Sequence, residues 1–185
     1  MTGAPSSPAA LLRTLEQQAR PRVRALLAQH SGESRRQSLA IRVARRAMLL
    51  PIDHVREVLD APRYVAAVPG TPRWLVGVAS HRGELLPLYD LATLLFGDCT
   101  DYQRRGAALI VPGRQRILGL LVDEVVGLRR YRLRHAQDQD DIPEALGPLL
   151  LGLSDDAGGG LPLVDPSAVE QLPAFHDAAF AAGAG

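Results

Sequence analysis

The 185-residue sequence lacks lysine, and its 21 basic residues, all arginine, are balanced by 20 acidic residues. The resulting net charge of +1 excludes a global field that would draw the chain to nucleic acid or anionic lipid. A partner must therefore be recognised by a local surface. With 46% hydrophobic residues, the chain can bury the core of one compact domain.

Long apolar runs and cysteine pairs are also missing. No stretch reaches the roughly 18 consecutive apolar residues of a membrane-spanning helix, and the N-terminus lacks the basic region of a secretory signal. The single cysteine, Cys99, cannot form an internal disulfide, which agrees with a reducing compartment. These absences predict a cytoplasmic protein.

The residue patterns that would indicate an enzyme are not visible. Four of the five histidines are scattered without metal-ligand spacing, at positions 54, 81, 135 and 176. The run Gly158-Gly159-Gly160 lacks the Lys-Ser/Thr ending of a phosphate-binding loop. The sequence therefore predicts a non-catalytic protein with no cofactor and no metal, and a small hydrolase is the less favoured alternative.

Residues 1–37 are expected to form a disordered tail, an amphipathic helix and a linker. Apolar residues recur at helical spacing between Leu11 and Leu27. Such a stripe needs a cover, either the chain's own β structure or a partner, and both alternatives stay open with self-packing preferred.

From residue 38 onward the apolar residues alternate, which predicts a mainly β domain over 38–185 with short helices. A clear hairpin joins 107–111 to 117–122, and Pro112-Gly113 suit the centre of a type II turn between them. The domain is expected to end in a short helical tail.

Capping residues mark the short helices. Thr71 and Asp165 each precede a proline that suits the first helical position, and Asp90 precedes an apolar segment that ends at Gly97. Each of these helices is expected to last two or three turns.

The chain also repeats itself. IDHVREV (52–58) matches VDEVVGL (122–128), and GVASHRGELLPLYD (77–90) matches GLSDDAGGGLPLVD (152–165) without a gap. Two copies of one unit predict two similar, interleaved β lobes around a shared core. Residues that are alike in both copies are predicted to be structural.

One difference between the copies is informative. His81-Arg82 stand where the second copy has Asp156-Ala157, so the arginine is not needed to build this glycine corner. It is therefore a candidate for binding.

The one basic cluster, RRYRLR (129–134), leaves a nucleic-acid-binding β barrel open, with Tyr131 stacking on a base. However, alternation of arginine with Tyr131 and Leu133 is more typical of a half-buried strand with one solvated face. The acidic residues that follow would offset an attractive field, so no nucleic acid partner is expected.

Over residues 38–172 the chain resembles the CheW-like family of chemotaxis scaffold proteins. The motifs are LPIDHVREVL, VPGTPRWLVGVASHRGELLPLYDL, ILGLLVDEVVGL, and a late LLLGL followed by LPLVD. The resemblance implies two small five-stranded β barrels about a common core. The preceding helix and the tail VDPSAVEQLPAFHDAAF are similar to the adaptors that control type IV pili and twitching motility.

The resemblance implies a non-catalytic adaptor between the cytoplasmic tip of a methyl-accepting chemoreceptor and the regulatory domain of a CheA-like histidine kinase. It would be recruited to membrane-associated arrays without inserting into the membrane. A coupling protein of a flagellar or other chemosensory array is the alternative.

The resemblance also implies the residues that touch each partner. Receptor contact is placed in the groove between the lobes, at Arg82, Gly83, Val55, Glu57 and Val122. Kinase contact is placed on the outer surface of the first lobe, at Tyr64, Val65 and Leu85. We further expect Glu57, in a helix formed by VREV, to orient Arg82 through a bidentate ion pair in the free protein.

Overall fold

The computed structural model describes residues 36–99, 106–137, 140–155 and 160–175, all within the compact unit Arg35–Gly185. The expected N-terminal tail and amphipathic helix lie outside the described residues, as do most of the glycine-rich loop and residues 176–185. Residues 173–175 are helical, at the start of the expected C-terminal tail.

Strands dominate the described residues. They are β1 (Arg36–Val43), β2 (Arg46–Pro51), β3 (Glu57–Asp60), β4 (Leu75–His81), β5 (Glu84–Asp90), β6 (Ala107–Pro112), β7 (Ile117–Val122), β8 (Glu124–Tyr131), β9 (Leu133–Arg134), β10 (Leu150–Ser154) and β11 (Pro162–Val164). The helices are α1 (Leu91–Phe96) and the 3-10 helices η1 (Ile52–His54), η2 (Glu144–Leu149) and η3 (Pro166–Gln171). The mainly β fold expected from the sequence is confirmed.

The strands form two sheets with matching order. One sheet runs β8-β1-β2-β11-β10-β9, and the other runs β3-β6-β7-β5-β4. Each copy of the sequence repeat contributes strands to both sheets, because β3 joins the second hairpin and β8 joins the first. The lobes are therefore interleaved, and the short β9 gives one of them a sixth strand beyond the expected five.

The register of the two sheets repeats as well. Leu88 of β5 lies beside Gly119 of β7 in a parallel pair, and Leu163 of β11 lies beside Leu49 of β2 in the same way. Within the hairpins, Gly77 pairs with Leu88 and Gly152 pairs with Leu163. The internal sequence match thus corresponds to a match in strand pairing.

Two glycines stand at equivalent positions in the two copies of the repeat, and the structure shows why both are glycine. Gly77 and Gly152 each stand at a register shift, with φ of +146° and +149°. A Cβ on Gly77 would collide with the carbonyl oxygen of Ala66, and one on Gly152 would lie 2.7 Å from the carbonyl oxygen of Arg134. Both positions require glycine for its φ and for the close approach of the neighbouring backbone.

The hydrophobic core has three parts. The largest draws residues from both sheets, such as Leu39 and Ile41 of β1 and Leu109 of β6. Residues on the opposite faces of these strands form one smaller cluster in each sheet. The cluster of the six-stranded sheet contains Ala40, and that of the five-stranded sheet contains Ala108. The two central hairpins are therefore buried on both faces, which explains their nearly continuous apolar sequences.

Two of the three expected helix caps are observed. The Asp90 carboxylate accepts hydrogen bonds from the N–H groups of Ala92 and Thr93 at the start of α1, which ends at Gly97 with φ of +72°. Asp165 accepts the N–H of Ser167 at 3.0 Å at the start of η3, a 3-10 rather than an α-helix.

The prediction of a helix after Thr71 is wrong. The Thr71 hydroxyl donates a hydrogen bond to the carbonyl oxygen of Val68 at 2.7 Å, and the N–H of Leu75 donates one to the carbonyl oxygen of Pro72 at 2.9 Å. Only a turn forms, because Leu75 already pairs with Tyr89 as the first residue of β4.

The type II turn expected at Pro112-Gly113 is also wrong. Pro112 still pairs with Ile117, and Gly113 does not have the positive φ that this turn requires. The N–H of Gly113 donates to the carbonyl oxygen of Arg116 at 2.9 Å, so the hairpin closes beyond the predicted residues.

An aromatic cluster joins the end of the described chain to the five-stranded sheet. The ring of Phe175 stacks on Trp74 with a centroid separation of 5.4 Å and lies 5.0 Å from the ring of Tyr89. Because aromatic rings bury large apolar areas, this contact fixes the C-terminal segment against β5 and the turn before β4.

Candidate partner-binding site

The turn between β4 and β5 carries the candidate arginine. Arg82 and Gly83 form a two-residue loop, since His81 and Glu84 on either side still pair. Their φ values of +51° and +85° match a type I′ turn, which favours asparagine and glycine. Positive φ costs a residue with a Cβ about 1–2 kcal/mol, so an arginine here indicates a role other than forming the turn.

Glu57 holds this arginine, as the sequence predicted. Nη2 of Arg82 donates a hydrogen bond to Oε1 of Glu57 at 3.0 Å. The predicted helix is wrong, because Glu57 begins β3 and pairs with Ile110 of β6. Because β3 and β4 are the two edge strands of the five-stranded sheet, this hydrogen bond joins opposite edges of the sheet.

The expected bidentate pair is also wrong, because His81 occupies the second oxygen of Glu57. Nε2 of His81 lies 3.3 Å from Oε2, whereas Arg82 contacts Oε1 alone. The His81 side chain is 16% exposed and that of Arg82 is 75% exposed. The guanidinium therefore keeps N–H groups open to solvent, with which it can bind a carboxylate on another molecule.

The sequence assigns Val55 and Val122 to receptor contact, but the two side chains differ in burial. Val55 is partly buried against the shared core. Val122 is fully buried at 0% exposure, so a direct contact between its side chain and a partner is wrong for this conformation. Ile52, the counterpart of Val122 in the first copy of the repeat, is 36% exposed.

Two other exposed apolar residues were not singled out from the sequence. Val58 of β3 is 42% exposed and Leu128 of β8 is 62% exposed, and both lie on sheet-edge strands. Each stands opposite a buried residue of the shared core, Leu109 and Leu39 respectively. The two are counterparts in the repeat, so comparison of its copies could have found them.

The residues assigned to kinase contact differ in accessibility. Tyr64 is 91% exposed and Leu85 is 76% exposed, which leaves two large apolar side chains in solvent. Val65 is partly buried against the core of the five-stranded sheet. Tyr64 and Leu85 are therefore the accessible part of this surface.

The basic segment 129–134 is built as a strand with one solvated face. Tyr131 is 2% exposed, which leaves its ring unable to stack on a base in this conformation. Arg134 pairs with both oxygens of Asp140, at 2.8 and 2.7 Å, which helps to lower the Asp140 pKa to about 2.

A second ion pair was not foreseen from the sequence. Nδ1 of His54 lies 3.1 Å from Oδ1 of Asp165 and joins η1 to the residue that caps η3. The hydrogen bond to Asp165 raises the pKa of His54. Burial would raise the pKa of Asp165, but hydrogen bonds from His54 and Ser167 outweigh it and lower that pKa. These residues are distant in sequence, so no local pattern revealed the pair.

In the described parts of the chain, no three side chains of the metal-binding types are placed to hold one ion. The same parts of the chain contain no helix that is long and apolar enough to span a membrane.

Comparison with known proteins decides the family. The model of the CheW-like domain matches residues 37–172. The chain belongs to the CheW-like family. Among similar proteins, PilI of Pseudomonas aeruginosa is 30% identical over 174 residues, which are 94% of this chain and 97% of that protein. FrzA of Myxococcus xanthus is 34% identical over 125 residues, which are 67% of this chain and 72% of that protein.

A solved CheW-like structure has the same fold. The scaffolding protein TtCheW from Thermoanaerobacter tengcongensis superposes with a TM-score of 0.64 at 18% identity, covering 78% of this chain and 94% of that one. The match shows that this chain has the fold of TtCheW over most of the length of both chains.

Proposed function

We propose that this CheW-like protein couples the cytoplasmic tip of a methyl-accepting chemoreceptor to the regulatory domain of a CheA-like histidine kinase, without catalysis. The observation that carries the proposal is the Arg82 turn, which differs between the two copies and presents an exposed guanidinium held by Glu57. Similarity to PilI over 94% of the chain supports a role in the control of type IV pili and twitching motility.

The receptor side of the proposal rests on a combination of charge and apolar surface. A receptor tip is an amphipathic helical hairpin, and such a helix binds an apolar groove with charged anchors at its rim. Val55, Val58 and Leu128 supply accessible apolar surface, and the Arg82-Gly83 turn supplies the anchor. Val122 supports this surface from the core beneath.

The kinase side of the proposal uses the exposed pair Tyr64 and Leu85, with Val65 anchoring their segment to the core. Large apolar side chains this exposed are a common feature of protein interfaces. We propose that the kinase binds at Tyr64 and Leu85, whereas the receptor binds at the Arg82-Gly83 turn of the hairpin that contains Leu85. A coupling protein needs two such surfaces.

Isothermal titration with each isolated partner tests the proposal. Arg82→Ala should weaken binding of a receptor-tip hairpin about tenfold or more, because an anchoring charge pair is lost. Arg114→Ala is the matched control, since Arg114 is also an exposed arginine in a hairpin turn. Leu85→Asp should abolish binding of the kinase regulatory domain, whereas Leu128→Asp should not. Wild-type protein that binds neither partner would refute the proposal.

The nucleic-acid alternative is less well supported. Its aromatic residue, Tyr131, is buried, and Arg134 is occupied by Asp140. An alternative role in a flagellar array uses the same two surfaces and differs only in which receptor and kinase bind.

A further inference from the structure

The turn between β1 and β2 has an unusual backbone. It is a two-residue loop, Ala44-Arg45, because Val43 and Arg46 still pair. Both loop residues have positive φ, +48° and +64°, although neither is glycine. Side chains with a Cβ crowd the following carbonyl oxygen in this conformation, so glycine and asparagine are strongly preferred. Strain of this kind is concentrated at functional sites.

The second copy of the repeat shows that the lobe does not require this strain. Its corresponding turn is Arg114-Gln115, which lies between Gly113 and Arg116 as Ala44-Arg45 lies between Val43 and Arg46. Neither Arg114 nor Gln115 has a positive φ. The strain is therefore particular to the first turn, and hairpin closure alone does not account for it.

The strained turn lines a surface depression of mixed charge, together with Arg42, Arg46, Asp98 and Asp123. Two of its arginines already face carboxylates. Arg42 lies 3.3 Å from Glu124, and Arg46 lies 3.7 Å from Asp98. These pairs are about half exposed, so their net stabilisation is small and a competing carboxylate can replace them.

Arg45 is different from its two neighbours. Across the described ranges, no ion pair is formed by Arg45 or by Asp123, which faces the same depression. Among the described residues, the turn therefore presents a guanidinium without a carboxylate partner. A carboxylate is the group that such a planar fork binds best.

We propose that this depression, defined by Arg42, Arg45, Arg46, Asp98 and Asp123, binds an acidic segment of a partner protein, with Arg45 as the principal anchor. Protein is favoured over nucleic acid or membrane because Asp98 and Asp123 would repel a row of phosphates, whereas a protein segment can place one carboxylate at Arg45. The strained turn joins β1 and β2 of the six-stranded sheet, whereas the Arg82 turn joins β4 and β5 of the five-stranded sheet. The residues that line the depression differ from those of the proposed receptor and kinase surfaces, so the depression is proposed as a docking surface additional to them.

Fluorescence anisotropy with a labelled peptide of about ten residues, which carries two adjacent glutamates among glycine and serine, tests the proposal at low and moderate salt. Arg45→Ala should weaken binding of this peptide about fivefold or more, and Arg114→Ala should change it less than about twofold. Equal losses in the two variants would overturn the proposal, because binding would then follow overall charge. The same holds if Arg130→Ala weakens binding more than Arg45→Ala does.

A second variant separates binding from turn strain. The double substitution Ala44→Asn/Arg45→Gly provides the residues that a type I′ turn prefers, so it should raise the melting temperature while it weakens peptide binding. A higher melting temperature with unchanged binding would overturn the proposal. So would Arg45-dependent binding of phosphatidylglycerol vesicles or of an oligo-dT strand that matches or exceeds binding of the peptide.

Discussion

Glu57 accepts a hydrogen bond from Arg82 across 3.0 Å and so ties the edge strand β3 to the β4–β5 turn. The two residues are distant in sequence, and the contact forms only because β3 pairs with the second hairpin rather than with its own. The interleaving of the lobes thus brings the proposed receptor anchor and its carboxylate together.

Removal of this carboxylate should weaken receptor binding. We expect Glu57→Ala to lower the affinity for a receptor-tip hairpin about three- to tenfold, because Arg82 is no longer oriented. Arg82→Ala should lower the affinity further, and the loss of binding free energy in the double variant should be smaller than the sum of the two single losses. Titration calorimetry of the wild type and the three variants measures these affinities. If Glu57→Ala leaves affinity untouched while Arg82→Ala abolishes it, Glu57 does not orient the arginine.

His81 should act in the same arrangement as a positioning residue. Its Nε2 lies 3.3 Å from the Glu57 oxygen that Arg82 does not contact. His81→Leu should therefore weaken receptor binding about two- to fivefold, and His81→Gln, which can still donate a hydrogen bond, should restore part of it. If the two variants weaken binding equally at unchanged melting temperature, the contact with Glu57 has no positioning role.

The pair of His54 and Asp165 should make stability depend on pH. Because the folded pKa of His54 lies above 6.5, its contribution is complete below pH 6.5 and is lost as pH rises through that folded value. The contribution of Asp165, whose folded pKa lies below 3.8, is present above pH 3.8 and is lost as pH falls through that folded value.

Thermal unfolding of His54→Gln and wild type measures this dependence. The variant should be less stable than wild type near pH 5.5, and the difference should shrink towards pH 8.5 as the wild-type histidine loses its proton. A difference that stays constant between these pH values would show that the ion pair contributes nothing through titration.

The two equivalent glycines should be equally intolerant of substitution. Gly77→Ala and Gly152→Ala should each destabilise the protein by about 3 kcal/mol or more, because a Cβ collides with neighbouring backbone and φ is unsuitable. Gly147→Ala is the control, since its Cβ would meet no atom within 4 Å. Urea unfolding measures all three. Tolerance of alanine at only one of the matched positions would contradict their structural equivalence.

Much of the fold could be predicted from the sequence because the chain contains two copies of one unit, which can be compared with each other. Residues alike in both copies, such as Asp90 and Asp165, proved to be caps, and Gly77 and Gly152 proved to be positions of close backbone approach. Local chemistry determines these features, so a local pattern can reveal them. The assignment of strands to interleaved sheets follows from the same repeat.

Other features depend on contacts between distant segments. Pairing of Glu57 with Ile110 converts an expected helix into a strand, and packing in the shared core buries Val122. The strain at Ala44-Arg45 has no sequence signal either, because nothing in those residues favours positive φ. In each case tertiary structure overrides local preference.

The proposed function requires one copy of this protein to bind a receptor and a kinase at the same time. Sedimentation velocity of the wild type mixed with a receptor-tip hairpin and a kinase regulatory domain shows whether it does. We predict a ternary complex with wild type, and a binary complex with the kinase domain alone when Arg82→Ala is used. Receptor and kinase that exclude one another on the wild type, or an Arg82→Ala variant that forms the full ternary complex, would refute the proposed coupling through Arg82.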